Sequence, residues 1–146
     1  MNGIKDSREM DIIKSITRAL AKDSRVIFAY LYGSMVVEGQ GNDIDIAIYA
    51  DEQVNPHLLS ADLKILLHED TGLSPDTFDI RVINGLLRNG DIFTLLYLKS
   101  VLTNSRLLFS RDPEVQSDFL ERYGLKYRGC EGLIQEVTHE NRPDPH

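Results

Sequence analysis

The sequence predicts an α/β (α+β) domain, a small mixed β-sheet flanked by helices, and three observations lead there. Segments 26–32, 43–50 and 77–83 carry the period-two alternation, or the branched and aromatic content, of strands. The stretches before, between and after them place apolar residues at helical spacing. No linker-like composition and no internal repeat divides the chain, so residues 1–140 are expected to form a single domain, with 141–146 as a flexible tail.

A first helix is expected over residues 7–22, with Ile13, Ile16 and Leu20 along its buried side. Segment 26–32 is apolar on both faces, as a central buried strand is, and it runs straight into Gly33-Ser34. Glycine there lets the backbone approach a phosphate closely, and Ser34 offers a hydroxyl and neighbouring amide N–H groups. In the next strand Ile44, Ile46 and Ile48 enter the core, so Asp43 and Asp45 project together from the other face. Their Cα atoms then stand about 6.6 Å apart, so that both carboxylates can lean toward one hard cation and repel each other without it.

The following helix has Asn55 as cap, Pro56 at its first position, Leu59, Leu63 and Leu66 inward, and Gly72 as stop. It links the two Asp-bearing strands. In 77–83, Phe78, Ile80 and Val82 share one face while Asp79, Arg81 and Ile83 share the other, which makes Asp79 a candidate third metal ligand. A helix starting near Asp91 is expected to bury Ile92, Leu95 and Leu102. Another, opened by Asp112-Pro113, carries Val115, Phe119 and Tyr123 at helical spacing.

Plainer readings exist for each part. Gly-Ser after a strand is often only a turn, Asp45 suits a solvated edge strand, and Asp79 with Arg81 suits a surface ion pair. Their conjunction is what points to phosphate and metal chemistry. Arg81 either offsets substrate phosphate charge or balances Asp79. His57, His68, His139 and His146 have no partner at ligand spacing and read as surface or capping groups.

Composition narrows the function classes. A net charge of -7 argues against a passive nucleic-acid binder, which needs a basic face. The lone Cys130 allows no intrachain disulfide, so a reducing cytoplasm fits, and no apolar stretch reaches membrane-spanning length.

Gly33, Ser34, Asp43, Asp45 and Asp79 together resemble the signature of the minimal nucleotidyltransferases within the DNA polymerase beta-like superfamily: Gly-Ser, a spacer, Asp-x-Asp, and an acidic residue on a later strand. The resemblance covers most of the chain. It implies the polymerase beta-like nucleotidyltransferase fold, with a helix, a short strand over 106–109 and a further helix in the family's order. It also implies catalytic and metal-holding roles for Asp43, Asp45 and Asp79, two Mg2+ ions, and Gly33 and Ser34 on the nucleotide, with ATP as substrate. By the same resemblance the acceptor is a protein hydroxyl, a tyrosine of a HEPN-domain toxin, and the chain is its antitoxin. Little chain follows Tyr127 to build the extra domain that small-molecule enzymes of the superfamily carry. Two departures keep other functions open. Eight residues separate Ser34 from Asp43, fewer than is usual in the family, and Met35-Val36-Val37 stand where small and basic residues are common. A non-catalytic antitoxin or binding module is one alternative, and a nucleotidyltransferase acting on a small hydroxylated molecule is another. Homo- or hetero-oligomerisation is compatible with each.

Overall fold

The structure, a computed structural model, describes residues 3–32, 43–89 and 91–140. Among these, four strands form one sheet in the order β3-β2-β1-β4: β1 (Val26–Tyr32), β2 (Ile44–Ala50), β3 (Phe78–Val82) and β4 (Ser105–Ser110). β1 is apolar on both faces because it is interior, antiparallel to β2 on one side and to β4 on the other. β2 and β3 run parallel. Parallel neighbours need a long crossover, and α2 (Pro56–Thr71) supplies it. The expected mixed sheet flanked by helices is therefore present.

Local chemistry sets the limits of α2. The Asn55 side chain accepts from the amides of His57 and Leu58 at 2.9 and 3.3 Å, and Pro56 occupies the first turn, where its missing N–H costs nothing. Gly72 ends the helix at φ 78, a left-handed conformation that disfavours a Cβ, and its N–H donates to the His68 carbonyl. The His68 ring lies 2.8 Å from the Leu73 carbonyl oxygen, a capping contact as expected.

Helical stripes differ from expectation by single residues. In α2 the fully buried set is Leu59, Leu63 and Leu67, while Leu66 packs at its margin. In α4 (Ile92–Thr103) the buried set is Leu95, Leu98 and Val101, and Ile92 and Leu102 are half-buried. A helix with apolar residues nearly all round leaves its rotation to be chosen by its neighbours. α1 (Gly3–Lys22) starts four residues earlier than expected, and α3 (Leu86–Asn89) is a short turn of helix not anticipated. α5 (Pro113–Gly129) is followed, after Cys130, by a separate α6 (Glu131–Glu140).

Alternate residues of the strands feed two cores. Under α1 and α2 lie Ile44, Ile46, Ile48, Phe78 and Ile80 with Ile16, Leu20 and the α2 leucines. The opposite face packs Phe28, Tyr30, Ala47, Tyr49 and Ile83 against Leu95, Leu98, Phe119 and Ile134 of α4 to α6. Phe28 and Tyr49 stack at 4.9 Å between centroids, with Phe119 edge-on to both. Each fully buried large apolar side chain contributes about 1.5–3 kcal/mol relative to an exposed one. Arg111 joins the ends of α1, β1 and β4, donating to the carbonyls of Val26 and Ala21 at 3.0 and 2.9 Å. Asn84 does the same for β2 and β3: its Oδ1 accepts from the Ala50 amide at 2.7 Å and its Nδ2 donates to the Ala50 carbonyl. With the Ile83 amide bonded to the Ile48 carbonyl, this pins the parallel register.

Candidate functional site

That register decides which side chains meet. Across β1, β2 and β3, Tyr32 stands opposite Asp45 and Asp45 opposite Asp79, so these three residues form one row on one sheet face. The next row on that face is Tyr30, Ala47 and Arg81. Deeper still, Phe28 pairs with Tyr49, and Ile83 is buried beside them. The face thus grades from aromatic core to charged rim within a few residues. At its far end Asp79 is exposed and Asp45 half-buried.

Asp43 is exposed and stands immediately before β2. Burial, then the negative charges of Asp79 and Asp43, push the Asp45 carboxyl above the ordinary carboxylate range; a hydrogen bond with Asp79 acts in the same direction, and Arg81 partly offsets them. β2 is an interior strand, which removes the reading of Asp45 as an edge-strand residue. Gly33 and Ser34 lie outside the described residues, as do Met35-Val36-Val37 and the tail 141–146.

Arg81 shares the face of Asp79, as the alternation predicts, yet among the described residues it makes no ion pair with it. Its guanidinium sits over the Tyr97 ring of α4, 4.7 Å from the centroid. Such a contact is worth about 0.5–1 kcal/mol at an exposed site. Tyr97 in turn shares a hydrogen bond with Tyr32, hydroxyl to hydroxyl at 2.9 Å, with the rings edge-to-face at 5.9 Å. Burial raises the pKa of both phenols, and the charges of Asp45 and Asp79 add to that shift. Both are therefore neutral at pH 7. The sequence signals only half of this pair. Tyr32 carries a usable signal, since it is the last strand residue before Gly33; Tyr97 carries none, because only the packing of α4 brings it here.

The donor set can be tested against magnesium. Among the described residues, no three His, Cys, Asp or Glu side chains close on one point at ligand distance. What the sheet brings together is a pair, Asp45 and Asp79, with Asp43 close enough to influence Asp45 electrostatically. Magnesium is a hard cation that is commonly held by one or two carboxylates, with substrate phosphates and waters filling the remaining positions. The residues fit that use, and a cation relieves the mutual repulsion that raises Asp45.

Other concave surfaces lie elsewhere. A cleft of about 440 Å³ is lined by Tyr49, Val115, Asp118, Glu121, Arg122 and Leu125, and one of about 570 Å³ by Leu87, Arg88, Arg122, Leu125, Lys126, Gly129 and Cys130. Neither includes Asp43, Asp45 or Asp79. Among the described residues, no helix is long and apolar enough to cross a membrane.

Comparison with known proteins agrees with this architecture. Residues 14–114 match the family model described as Polymerase beta, Nucleotidyltransferase. A chain of the crystal structure of the toxin-antitoxin MntA-HepT superposes with a TM-score of 0.58 at 17% identity, covering 90% of this chain and 97% of that one. A chain of the crystal structure of the toxin-antitoxin with AMP-PNP gives 0.54 at 18% identity, covering 86% and 98%. At these identities the likeness is one of fold. No curated protein matches the sequence.

Proposed function

This chain belongs to the polymerase beta nucleotidyltransferase family, and we propose that it transfers AMP from ATP to a hydroxyl of a protein partner, a tyrosine of a HEPN-domain toxin, thereby silencing that toxin. The observation that carries the reading is the placement of Asp45 beside Asp79 on adjacent parallel strands, with Asp79 exposed and Asp45 half-buried. The structures of like fold support it, since they come from a toxin-antitoxin, one of them with AMP-PNP.

Asp43 and Asp45 would hold two magnesium ions, with Asp79 completing the shell of one. When bound, magnesium supplies neutralisation of the charge on the attacking and leaving oxygens of an in-line displacement. Asp79 orients the acceptor hydroxyl and takes up its proton. The acceptor oxygen forms a bond to the α-phosphorus of ATP as the bond to the bridging oxygen breaks, and pyrophosphate departs. Gly33 and Ser34 hold the departing phosphates through amide N–H groups and the serine hydroxyl, a role assigned from the sequence motif. The neutral Tyr32 and Tyr97 hydroxyls wall the row without adding charge to it.

The direct test is incubation with magnesium, α-labelled ATP and the product of the neighbouring gene. Label is expected on the partner and is lost with a chelator. A partner that stays unlabelled across pH, nucleotide and metal conditions overturns the reading. One observation favours neutralisation by contact alone: only eight residues separate Ser34 from Asp43, and Met35-Val36-Val37 stand where small and basic residues are common. In that case the double variant Asp43→Asn, Asp45→Asn neutralises the toxin as well as the wild type does.

A further inference from the structure

The proposed transfer gives Asp79 the acceptor hydroxyl, and the next residue on the same strand and face is Arg81. Successive same-face positions lie about 6.6 Å apart. Arg81 is therefore one side chain away from the attacking oxygen, and it lies on β3, the strand at the open edge of the sheet. It is exposed, and among the described residues no carboxylate pairs with it. Two carboxylates nearby make that arrangement unusual. An arginine serving only to balance Asp79 is expected to close on it, whereas this guanidinium lies against the face of Tyr97 at 4.7 Å. Tyr97 is itself held by the 2.9 Å hydrogen bond to Tyr32, so the platform under the guanidinium is fixed from β1. A planar fork of N–H donors, oriented by stacking and not consumed by an ion pair, matches a carboxylate bidentately.

We infer that Arg81, seated on Tyr97, contacts the acceptor and selects a hydroxyl flanked by an acidic side chain. The inference rests on the transferase reading above. Arg81 then serves substrate recognition on the acceptor side, apart from both the triphosphate and Asp79. Tyr97 acts through Arg81 and is a positioning residue.

The test compares wild type, Arg81→Ala and Arg81→Lys with magnesium, α-labelled ATP and the HEPN-domain partner, and measures AMP-PNP binding to each protein separately. Both variants are expected to raise the acceptor KM by about tenfold, with the KM for ATP and the AMP-PNP Kd within about twofold of wild type. Replacing the acidic residues beside the labelled residue of the partner with amides should give the same loss, and combining it with Arg81→Ala should add little more. A rise in the ATP KM or the AMP-PNP Kd makes Arg81 a phosphate contact and overturns the inference. Full rescue by Arg81→Lys reduces its role to charge and overturns it as well. A wild-type protein that labels no partner fails at the transferase reading itself, and that failure is distinct because it appears before any variant is compared.

Discussion

β1, β2 and β3 present two faces to the helices around them, and the same few residues build both. Under α1 and α2, the even-numbered positions of β2 and β3 are Ile44, Ile46, Ile48, Phe78 and Ile80, and the face is closed along its length. On the other side, the odd-numbered positions run from Ile83 and Tyr49, deep under α4 to α6, outward through Ala47 and Arg81 to Asp45 and Asp79. The first face tolerates no polar group; among the described residues, no polar or charged side chain is fully buried. The second carries its charge at its outer end, where Asp79 is exposed and Asp45 half-buried. One-residue alternation thus lets a short sheet carry both a stabilising surface and a reactive one, and damage to either should be separable.

The largest expected effect falls on the reactive face. Asp45→Asn should lower the rate of transfer by about 10³-fold, a barrier increase of about 4 kcal/mol, with circular dichroism unchanged. A variant that keeps more than a tenth of the activity removes Asp45 from the chemistry. Next comes its neighbour in sequence, whose side chain lies on the opposite face. Ile46→Ala, at a fully buried position, should cost about 2–5 kcal/mol in urea unfolding while leaving kcat/KM of the folded protein near wild type. If its loss of activity at low denaturant matches that of Asp45→Asn, the two faces are not independent.

The smallest effect joins the two faces through pH. Because the folded-state pKa of Asp45 lies above its unfolded value of 3.8, ionising it opposes folding. The penalty is absent below the unfolded value, where Asp45 is protonated in both states, and grows as pH rises through the raised folded value. In chelator, Asp45→Asn should therefore melt higher than wild type at pH 7. The difference should vanish near pH 3.5. A wild type that is the more stable of the two at pH 7 shows that the repulsion at the carboxylate row is already relieved without metal.

Much of this was legible in the chain. The isoleucine alternation of β2, the central character of β1 and the caps of α2 follow from residue type and short-range sterics, as does the shared face of Asp79 and Arg81. The rotation of α2 and α4 is less legible: Leu67 and Leu98 are fully buried where Leu66 and Ile92 are expected, because a helix apolar over much of its circumference is turned by whatever it packs against. The break at Cys130 was not read either. There the amide donates to the carbonyls of both Lys126 and Tyr127, and the signal the sequence offers for this closure is Gly129 just before it.

The candidate site divides along the same line. Period-two geometry is a property of the backbone, so the residue order alone puts Asp45 opposite the isoleucines and Asp79 beside Arg81 on one face. Which strand lies next to which is a matter of long-range pairing. Parallel β2–β3 register, pinned through Asn84, sets Asp45 against Asp79, and α4 carries Tyr97 beneath Arg81. Those contacts join residues far apart in the chain, and their free energy exists only once the sheet and both helical layers have closed around it.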